Sequence, residues 1–554
     1  MSFVISNRFS SLAGIVLSAG LMASSQLTSW GFLALIGYVP ILLICSHLPP
    51  RQAFLCFGAA TSLQYMATLS WLLTAMTVFG GLHGFVSILS LFLLTAFIGL
   101  HLGLAMALSR YLDRKKSAPM MFWFPLALCS AEYLRDYGFI GSFPWGCSGY
   151  SLISTPRLLQ SASWLGVYGL VFFIGLLNCL IARSIQERRL CWGAFALALV
   201  GLMSLLGEYR LHTWKNQTPQ TVSIALLQGN IEQGLKNDAL IYSDEILERY
   251  RALQTKATQS GAELVIWPES SYPFSVSTEE PRFESLGELA PINIIGAIAQ
   301  DPEGKFYNSA YILDSAGKAL GRFDKAQLVP FGEYVPWPFA SIAAKLVPGL
   351  EQLEWGTQSK PLRVGALALA VTVCYDGAFP NVARTLVKNG ANLLVNITND
   401  AWYGFTQGPR QHLAMYQMRS VETGRSFARA TNTGISAWID ATGQVHQATP
   451  LYEQTLVFAH IPLSTGNTWF VLGGQWVPRL ALACLLAGLL WARRPRKVSD
   501  WIWLLIGLAI ALFSYTVFEL KSPMFQEAAK TQETLLFALG LLLGLRVWKS
   551  TTSK

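Results

Sequence analysis

The main pattern along the chain is an alternation of long apolar runs with short polar loops. Before residue 210, runs long enough to cross a bilayer, or nearly so, lie at 9–27, 29–47, 52–76, 82–109, 119–136, 160–182 and 191–208. Hydropathy then falls over the middle of the chain and rises again at 476–492, 500–518 and 533–548. This pattern predicts a polytopic α-helical membrane bundle with a polar domain inserted into it.

The polar middle of the chain has the shorter repeat of an α/β domain. Strand-like runs recur along it at 221–228, 262–269, 292–300, 306–314, 364–376, 391–398, 434–440 and 455–461. Helical patterns lie between some of these runs, at 243–259, 380–390 and 410–425. Several strand-like runs are apolar throughout, which is typical of sheets covered on both faces.

These patterns divide the chain into four parts. We predict an N-terminal transmembrane bundle of about seven spans over 1–212 and an α/β domain over 213–470. A returning transmembrane helix is predicted at 471–495, and an extra hydrophobic hairpin with a basic tail at 496–554.

Composition supports a membrane protein. Hydrophobic residues make up 52% of the chain and charged residues only 13%, which is too apolar for an ordinary soluble domain. The net charge of +9 invites a nucleic-acid partner, but the Lys and Arg clusters lie in loops between apolar runs, as at 110–116, 183–189 and 493–497. Because cationic loops stay in the cytoplasm, this distribution predicts a cytoplasmic N-terminus and places the α/β domain outside the cytoplasm. We therefore predict no nucleic-acid partner.

The eight cysteines do not suggest disulfides or zinc. None of them forms a CxxC pair or a Cys/His spacing suited to zinc, and seven lie in or beside apolar segments. We predict no metal site and no cofactor.

Three ionisable side chains follow directly on strand-like runs, where a sheet fixes the origin of a catalytic group. They are Glu269 in WPES, Lys325 in FDKAQLVP and Cys374 in VTVCYD, and Glu333 comes eight residues after Lys325. Taken alone, such a Cys is more often core packing, and such a Glu or Lys is usually a solvated rim residue.

As a set, the three residues favour catalysis. A thiol needs a base or a cation to become a nucleophile, and a carboxylate and a lysine together supply both. His412 and His446 do not occupy strand-end loops, so a Cys–His protease is the weaker interpretation.

These residues carry a family resemblance. The motifs WPES, DKAQLVPFGE and VCYD resemble those of the nitrilase superfamily. The blocks LVPFGEYVP, NITNDAWYG and RATNTGISAW, with FPWGCSGY and GVYGLVF in the membrane part, are similar to its membrane-embedded branch, the apolipoprotein N-acyltransferases. The resemblance implies a nitrilase-like αββα sandwich and covers most of residues 1–495.

The resemblance also implies roles for individual residues. Glu269 is expected to be the general base, Lys325 the cation that stabilises the oxyanion, and Cys374 the nucleophile. Glu333 matches a second essential carboxylate, and the Tyr375 backbone N–H is expected to complete an oxyanion hole. The implied reaction moves an acyl chain from a membrane phospholipid, through a cysteine thioester, to the N-terminal amine of a diacylglyceryl-modified apolipoprotein. The implied location is the bacterial inner membrane, with the α/β domain on the periplasmic side.

Two positions depart from the family pattern, and a few others are expected to contact lipid. The family usually has Glu where this chain has the supporting residue Asp376, and tends to have Trp where it has Asn237. Asn237, Trp145 and Trp402 are the predicted substrate or lipid contacts. The apolar loop at 336–350 either dips into the outer leaflet or caps the sandwich core, with both left open.

The sequence also leaves two rival functions. One is a membrane-anchored amidase, although about ten spans exceed what an anchor needs. The other is a catalytically impaired paralogue that binds lipid or lipoprotein, which the departures at Asp376 and Asn237 favour. Within the bundle, Glu132 and Arg135 stand one helical turn apart and are expected to pair with each other or to contact a headgroup.

Overall fold

The computed structural model of the protein describes residues 2–115, 118–135, 143–216, 219–284, 286–335 and 352–493. The predicted hairpin and tail over 496–554 and the predicted apolar loop over 336–350 lie outside these residues.

The N-terminal part is helical. Its helices are α1 (Ser2–Leu27), α2 (Val39–Cys45), α3 (Pro50–Thr68), α4 (Trp71–Thr74), α5 (Gly84–Arg114), α6 (Met120–Arg135), α7 (Pro156–Leu159), α8 (Ala162–Glu187) and α9 (Leu190–Lys215). In the described part of the chain, α5, α8 and α9 are long and apolar enough to cross a membrane by length and composition. The count of about seven spans stays a prediction.

Two of the predicted runs are not single helices. The run at 29–47 is a short 3₁₀ segment, Gly31–Leu35, followed by α2. Asn178 of α8 satisfies the backbone at this break, because its amide donates to the Ala34 carbonyl and accepts from the Tyr38 N–H, both at 2.8 Å. The run at 52–76 is likewise divided between α3, α4 and a π-helical turn, Ala75–Phe79.

The middle of the chain forms two β-sheets and their covering helices. The strands are β1 (Thr221–Gln228), β2 (Leu264–Ile266), β3 (Val276–Ser277), β4 (Ile292–Gln300), β5 (Phe306–Asp314), β6 (Ala319–Asp324), β7 (Leu362–Val364), β8 (Leu367–Val373), β9 (Leu393–Thr398), β10 (Phe427–Thr431), β11 (Ala437–Ile439), β12 (Val445–His446) and β13 (Thr455–Pro462). The helices are α10 (Gln233–Asn237), α11 (Ser243–Gln259), α12 (Pro380–Lys388) and α13 (Gly408–Thr423), followed by α14 (Trp469–Gly473) and α15 (Trp476–Arg493).

Several predicted elements are confirmed end for end, namely the strands at 221–228, 292–300 and 306–314 and the helix at 243–259. The prediction of one strand over 364–376 is wrong. The chain turns back at Gly365, whose φ of +57° suits glycine, so that β7 and β8 form a hairpin, and residues Cys374–Ala378 form a 3₁₀ turn.

The two sheets stack face to face. The first sheet has the strand order β13-β1-β2-β4-β5-β6, with β3 paired to β4, and the second has the order β12-β11-β10-β9-β8-β7. Buried aliphatic side chains of both sheets form one core, for example Ile224 and Ile294 from the first sheet with Val371 and Val395 from the second. Helix α11 covers the outer face of the first sheet, and α12 and α13 cover the second. The domain is therefore an αββα sandwich.

The helical layer over the second sheet also packs against the N-terminal bundle. Tyr375, Phe379, Met415 and Met418 belong to the same buried cluster as the side chains of the membrane helices. The domain and the bundle thus share a hydrophobic core on the side where Cys374 lies.

Candidate active site

Three strands of the sandwich end at one edge, and the three predicted residues lie just beyond them. Strands β1, β2 and β4 run parallel, and the two antiparallel pairings β4–β5 and β5–β6 bring β6 into the same direction. Glu269 follows β2, and Lys325 follows β6 directly. In the second sheet β8, β9 and β10 run parallel, and Cys374 follows β8. The fold therefore brings Glu269, Lys325 and Cys374 together from distant parts of the chain.

Lys325 bridges two carboxylates. Its Nζ lies 3.2 Å from Glu269 Oε1 and 2.6 Å from Glu333 Oε1, and its side chain is almost completely buried. The other oxygen of Glu333 accepts the Val329 N–H at 2.8 Å, which holds the loop after β6 against the lysine. A buried ammonium paired on two sides cannot turn away from the site without leaving both charges unpaired.

Glu269 has further partners that the sequence did not reveal. Its Oε1 accepts the Asn308 side-chain amide at 2.7 Å, and its Oε2 accepts the Asn399 backbone N–H at 2.7 Å. Burial alone would raise the pKa of this carboxyl, but Lys325, the Asn308 amide and Lys236 outweigh it, so the pKa of Glu269 is lowered. The carboxylate is thus ionised at neutral pH, as a base must be.

Cys374 stands on a constrained backbone. Its φ of +47° is in the left-handed region, which non-glycine residues rarely adopt. Its carbonyl accepts two hydrogen bonds, from the Tyr416 hydroxyl at 2.6 Å and from His412 Nε2 at 3.0 Å. These two bonds on helix α13 hold the backbone in that conformation and fix where the thiol points.

The thiol is in a buried, charged environment. Burial raises the pKa of Cys374, and the negative charges of Glu269 and Glu333 raise it further, against the opposing effect of Lys325. In turn, burial pushes the pKa of Lys325 down, but Cys374, Glu269 and Glu333 together lift it well above its usual value. The cysteine is therefore a neutral thiol at neutral pH, and the ionised carboxylate of Glu269 acts on it electrostatically.

Asp376 is a loop clamp. One carboxylate oxygen accepts the Val373 N–H at 2.8 Å, and the other accepts the N–H groups of Ala326 and Gln327 at 3.1 and 2.8 Å. It ties the turn that begins at Cys374 to the segment that follows Lys325. Burial raises its pKa to about 7, although these N–H groups and Lys325 oppose the shift.

A buried polar network next to Cys374 was not predicted. His412 Nδ1 lies 2.8 Å from Asp400 Oδ1, and Arg429 Nη2 lies 2.8 Å from Asp400 Oδ2, with all three side chains fully buried. Asp400 lies in NITNDAWYG and Arg429 in RATNTGISAW, so both residues were in motifs already singled out, but their pairing could not be predicted from the sequence. His412 contacts the carbonyl of Cys374 rather than being placed as the partner of a Cys–His dyad.

An aromatic layer joins the site to the bundle. Trp145 is buried, and its ring lies 6.5 Å from the Tyr375 ring and 4.7 Å from the Trp71 ring. The indoles of Trp71 and Trp145 both donate to Gln411 Oε1, at 3.1 and 2.6 Å. Gln411 precedes His412 on α13, so the helix that holds the Cys374 carbonyl is itself fixed to the membrane part.

Of the other predicted positions, Trp402 lies at the rim. The Trp402 ring is 42% exposed and lies 5.9 Å from the Phe79 ring of the bundle. A cavity of about 400 Å³, lined in part by Phe79, Gln233 and Ala401, opens beside it. Asn237 is the last residue of α10, one residue beyond Lys236, whose ammonium donates to the Glu269 carbonyl at 2.9 Å. The lipid contacts predicted for Trp145, Trp402 and Asn237 stay predictions, as does the Tyr375 N–H as an oxyanion donor.

Elsewhere in the bundle the expected pairing is confirmed. Glu132 and Arg135 form a buried ion pair at 2.6 Å, and the Tyr65 hydroxyl donates to Glu132 at 3.1 Å. Within the described residues, no group of three or more His, Cys, Asp or Glu side chains is placed to hold a metal ion.

Comparison with known proteins agrees with this geometry. Residues 223–469 match the family profile described as carbon-nitrogen hydrolase, which establishes the class of the sandwich domain as nitrilase-like. Residues 14–180 match the profile of the apolipoprotein N-acyltransferase N-terminal domain.

Whole-chain relatives support the same assignment. The chain is 35% identical to the apolipoprotein N-acyltransferase of Geobacter metallireducens over 79% of this chain and 86% of the relative. It is 30% identical to that of Haemophilus ducreyi over 86% of this chain and 96% of the relative. The chain therefore belongs to the apolipoprotein N-acyltransferase family. Among solved structures, Nit3 of Saccharomyces cerevisiae, a nitrilase-superfamily member, aligns over 44% of this chain and 90% of its own, with 18% identity and a TM-score of 0.35.

Proposed function

We propose that this protein is a phospholipid:apolipoprotein N-acyltransferase. It takes an acyl chain from a membrane phospholipid and transfers it to the N-terminal amine of a diacylglyceryl-modified cysteine. The observation that carries the proposal is the buried Lys325, held between Glu269 and Glu333 at 3.2 and 2.6 Å and electrostatically coupled to the Cys374 thiol. Membership of the family supports the choice of substrates.

In the first half-reaction, the ionised Glu269 takes the proton of Cys374 as the sulfur attacks the ester carbonyl carbon of the phospholipid. The carbonyl oxygen becomes an oxyanion, which Lys325 and the Tyr375 N–H stabilise. The ester C–O bond then breaks, and Glu269 returns its proton to the departing oxygen. The products are a lysophospholipid and a thioester on Cys374.

In the second half-reaction, the lipoprotein amine attacks the thioester. An α-amine has a pKa near 8, so a sizeable fraction is neutral at physiological pH. The amine nitrogen bonds to the carbonyl carbon, its excess proton moves to Glu269, and the C–S bond breaks. Glu269 then reprotonates the sulfur, which leaves an amide and the free thiol.

The position of the site suits substrates that are held in a bilayer. Extracting an acyl chain into water costs about 0.8 kcal/mol per CH₂, so a site joined to the bundle avoids a large penalty. Apolar side chains lie exposed at the rim, with Trp402 42% and Phe405 77% exposed. We assign these two side chains to lipid contact.

The charge distribution of the sequence supports a periplasmic site in the inner membrane of a bacterium. In that arrangement residues 1–212 span the membrane about seven times, 213–470 form the catalytic domain, and 471–495 return to the cytoplasm. A reporter that works only outside the cytoplasm should be active when it is fused near residue 260. Activity of a cytoplasmic reporter there would contradict this orientation.

Intact-protein mass spectrometry after incubation with phospholipid vesicles tests the function. Wild-type protein should gain a hydroxylamine-sensitive acyl mass, which an apolipoprotein peptide then removes as an N-acylated product. Cys374→Ala should abolish the adduct, whereas Cys191→Ala, which removes an exposed cysteine, should leave it unchanged. No adduct on wild type would favour a lipid-binding paralogue, and turnover of small amides without lipid transfer would favour an amidase.

A further inference from the structure

A second lysine reaches the active site from a different element. Lys236 lies on α10, the short helix after β1, and its Nζ donates to the Glu269 backbone carbonyl at 2.9 Å. The same helix is tied to the site by Gln233, whose side-chain oxygen accepts the Asn399 amide at 2.9 Å. Asn399 in turn donates its backbone N–H to Glu269 Oε2. The lysine is therefore held next to the base by two independent attachments.

The ammonium of Lys236 also interacts electrostatically with the Cys374 thiol. Burial lowers the pKa of Lys236 to about 8, while Glu269 and Cys374 act in the opposite direction. The side chain is half-buried, and so it can face a bound substrate as well as the protein.

The charges of the site show why a second cation is needed. Glu269 and Glu333 are the carboxylates that act on the thiol most strongly, and Lys325 is the ammonium that opposes them. When Glu269 takes the thiol proton, its charge is neutralised and a new negative charge forms on the acyl oxygen. Among these charged groups, Glu333 and this oxyanion then face only Lys325, so one negative charge stays uncompensated in a buried site, as it is before the transfer, when Glu269 and Glu333 face Lys325. The ammonium of Lys236, bonded to the Glu269 carbonyl, is a second positive charge at this place.

We propose that Lys236 is a second cation of the acyl-transfer site, which stabilises the oxyanion that forms when Cys374 attacks the ester and again when the amine attacks the thioester. The inference rests on the proposed function. It extends the charge machinery beyond Glu269, Lys325 and Glu333 to a residue on the first connection of the domain.

A purely structural role makes a different prediction. If Lys236 only supports the Glu269 carbonyl, a neutral hydrogen-bond donor should replace it. Lys236→Gln keeps a donor and loses the charge, whereas Lys236→Arg keeps the charge. Lys256→Gln, which alters an exposed lysine on α11, serves as the matched control.

The first measurement is the rate of acyl-adduct formation in detergent-solubilised full-length protein with phospholipid. We expect Lys236→Gln to be roughly 10²-fold slower than wild type, as for loss of one oxyanion-stabilising group. Lys236→Arg should recover most of the rate, and Lys256→Gln should equal wild type. Because the cation is lost as pH rises through its pKa of about 8, the wild-type rate should fall above that pH, and the Arg variant should keep its rate there.

The second measurement does not need acyl transfer. The pH dependence of iodoacetamide alkylation of Cys374 reports the thiol pKa in the field of Glu269, Lys325, Glu333 and Lys236, with the hydroxyls of Tyr403 and Tyr416 nearby. Below the Lys236 pKa of about 8, loss of the positive charge in Lys236→Gln should lower the thiolate fraction and slow alkylation at each pH, and Lys236→Arg should not; above that pH the wild type loses the charge as well, and only the Arg variant keeps it.

Two results would overturn the inference. One is a Gln variant with the wild-type rate and alkylation profile, and the other is equal slowing of the Gln and Arg variants with unchanged pH profiles. If wild type forms no adduct at all, the proposed function fails, and the alkylation series then decides the role of Lys236 on its own.

Discussion

The two sheets contribute to the site in different ways. Charged groups reach it from the first sheet, where Glu269 and Lys325 lie on loops after β2 and β6 and are held mainly by one another and by Glu333. The thiol comes from the second sheet, on a backbone whose carbonyl is held by His412 and Tyr416 of α13. That helix is packed into the core of the bundle.

This contrast separates two tasks. On the side of the first sheet, Glu269, Lys325 and Glu333 set the proton affinity and the charge of the site. In the proposed reaction these side chains can exchange protons without a movement of the backbone. The second-sheet side sets geometry, because a nucleophile with a φ of +47° needs rigid support to stay in place. Substitutions on the first side should therefore change rates, whereas substitutions on the second should change stability as well.

Replacement of the base should give the largest loss of rate. Glu269→Gln removes the proton acceptor and keeps the shape of the side chain, with one oxygen left to accept from the donors Asn308 and Asn399. We expect acyl-adduct formation to fall by about 10²–10⁴-fold, with a small change in thermal stability because Lys325 keeps Glu333 as its partner. The measurement is single-turnover adduct formation together with a melting curve.

The pH profile checks the same point. Since the pKa of Glu269 is lowered from 4.5, wild-type adduct formation should persist on the acid side until the pH drops below that value. An acid limb near neutrality would contradict the assignment of Glu269 as an ionised base.

Breaking the network under the nucleophile should give the largest loss of stability. Asp400→Asn leaves the fully buried Arg429 without its charged partner, and we expect a loss of about 3–5 kcal/mol in the free energy of unfolding. Glu245→Gln removes the largely exposed pair with Arg249 and should cost less than about 1 kcal/mol. Chemical denaturation in detergent measures both variants.

The pH dependence of this loss has a defined sign. Burial would raise the pKa of Asp400, but Arg429 and His412 outweigh it, so its folded-state pKa lies below 3.8. Such a carboxyl contributes stability above pH 3.8, and the contribution is lost as pH falls through the lower folded value. The difference between wild type and Asp400→Asn should therefore shrink in acid. A difference that grows in acid would contradict the pairing.

Removing one hydroxyl should have an intermediate effect. Tyr416→Phe deletes the donor to the Cys374 carbonyl and the acceptor of the Gly377 N–H, which costs about 1–3 kcal/mol. The adduct rate should fall together with stability, unlike in Glu269→Gln. A normal melting temperature with a slow rate would show that the hydroxyl acts chemically rather than through the backbone.

The smallest effect on the adduct rate is expected where the chain departs from its family. Asp376→Glu introduces the usual family residue into a buried clamp that holds three backbone N–H groups, and the extra methylene should cost about 1–3 kcal/mol. We expect the adduct rate to change less than tenfold, because this carboxylate joins two loops and takes no part in the proposed proton transfers. A large gain in rate would instead favour the view that Asp376 impairs this chain.

Much of this arrangement could be predicted from the sequence. The apolar strand of INIIGAIAQ and the amphipathic helix of SDEILERYRALQTKATQ depend on local pattern, and both are found as predicted. The residues at strand ends were also visible, because ionisable groups directly after apolar runs are unusual in sequence.

The rest depended on contacts between distant segments. Lys236 and Glu269 are separated by 33 positions, and Arg429 and Asp400 by 29, and one sequence gives no information on such pairings. The break of the apolar run at 29–47 depends on Asn178 of α8, which lies far along the chain. Trp145 was predicted only as a substrate or lipid contact, and its place in the interior depends on its distant partners Trp71 and Gln411.

The shared core limits what can be done with the sandwich domain in isolation. The N-terminal helices cover four apolar side chains of the domain, namely Phe379, Met415, Met418 and Val421. A fragment cut near residues 215 and 470 would therefore expose an apolar surface to water. It would lose the indole partners of Gln411 as well, and with them the outer attachment of α13. We expect such a fragment to aggregate rather than to work as a secreted enzyme, so that biochemical work on this catalyst requires the complete chain in lipid or detergent.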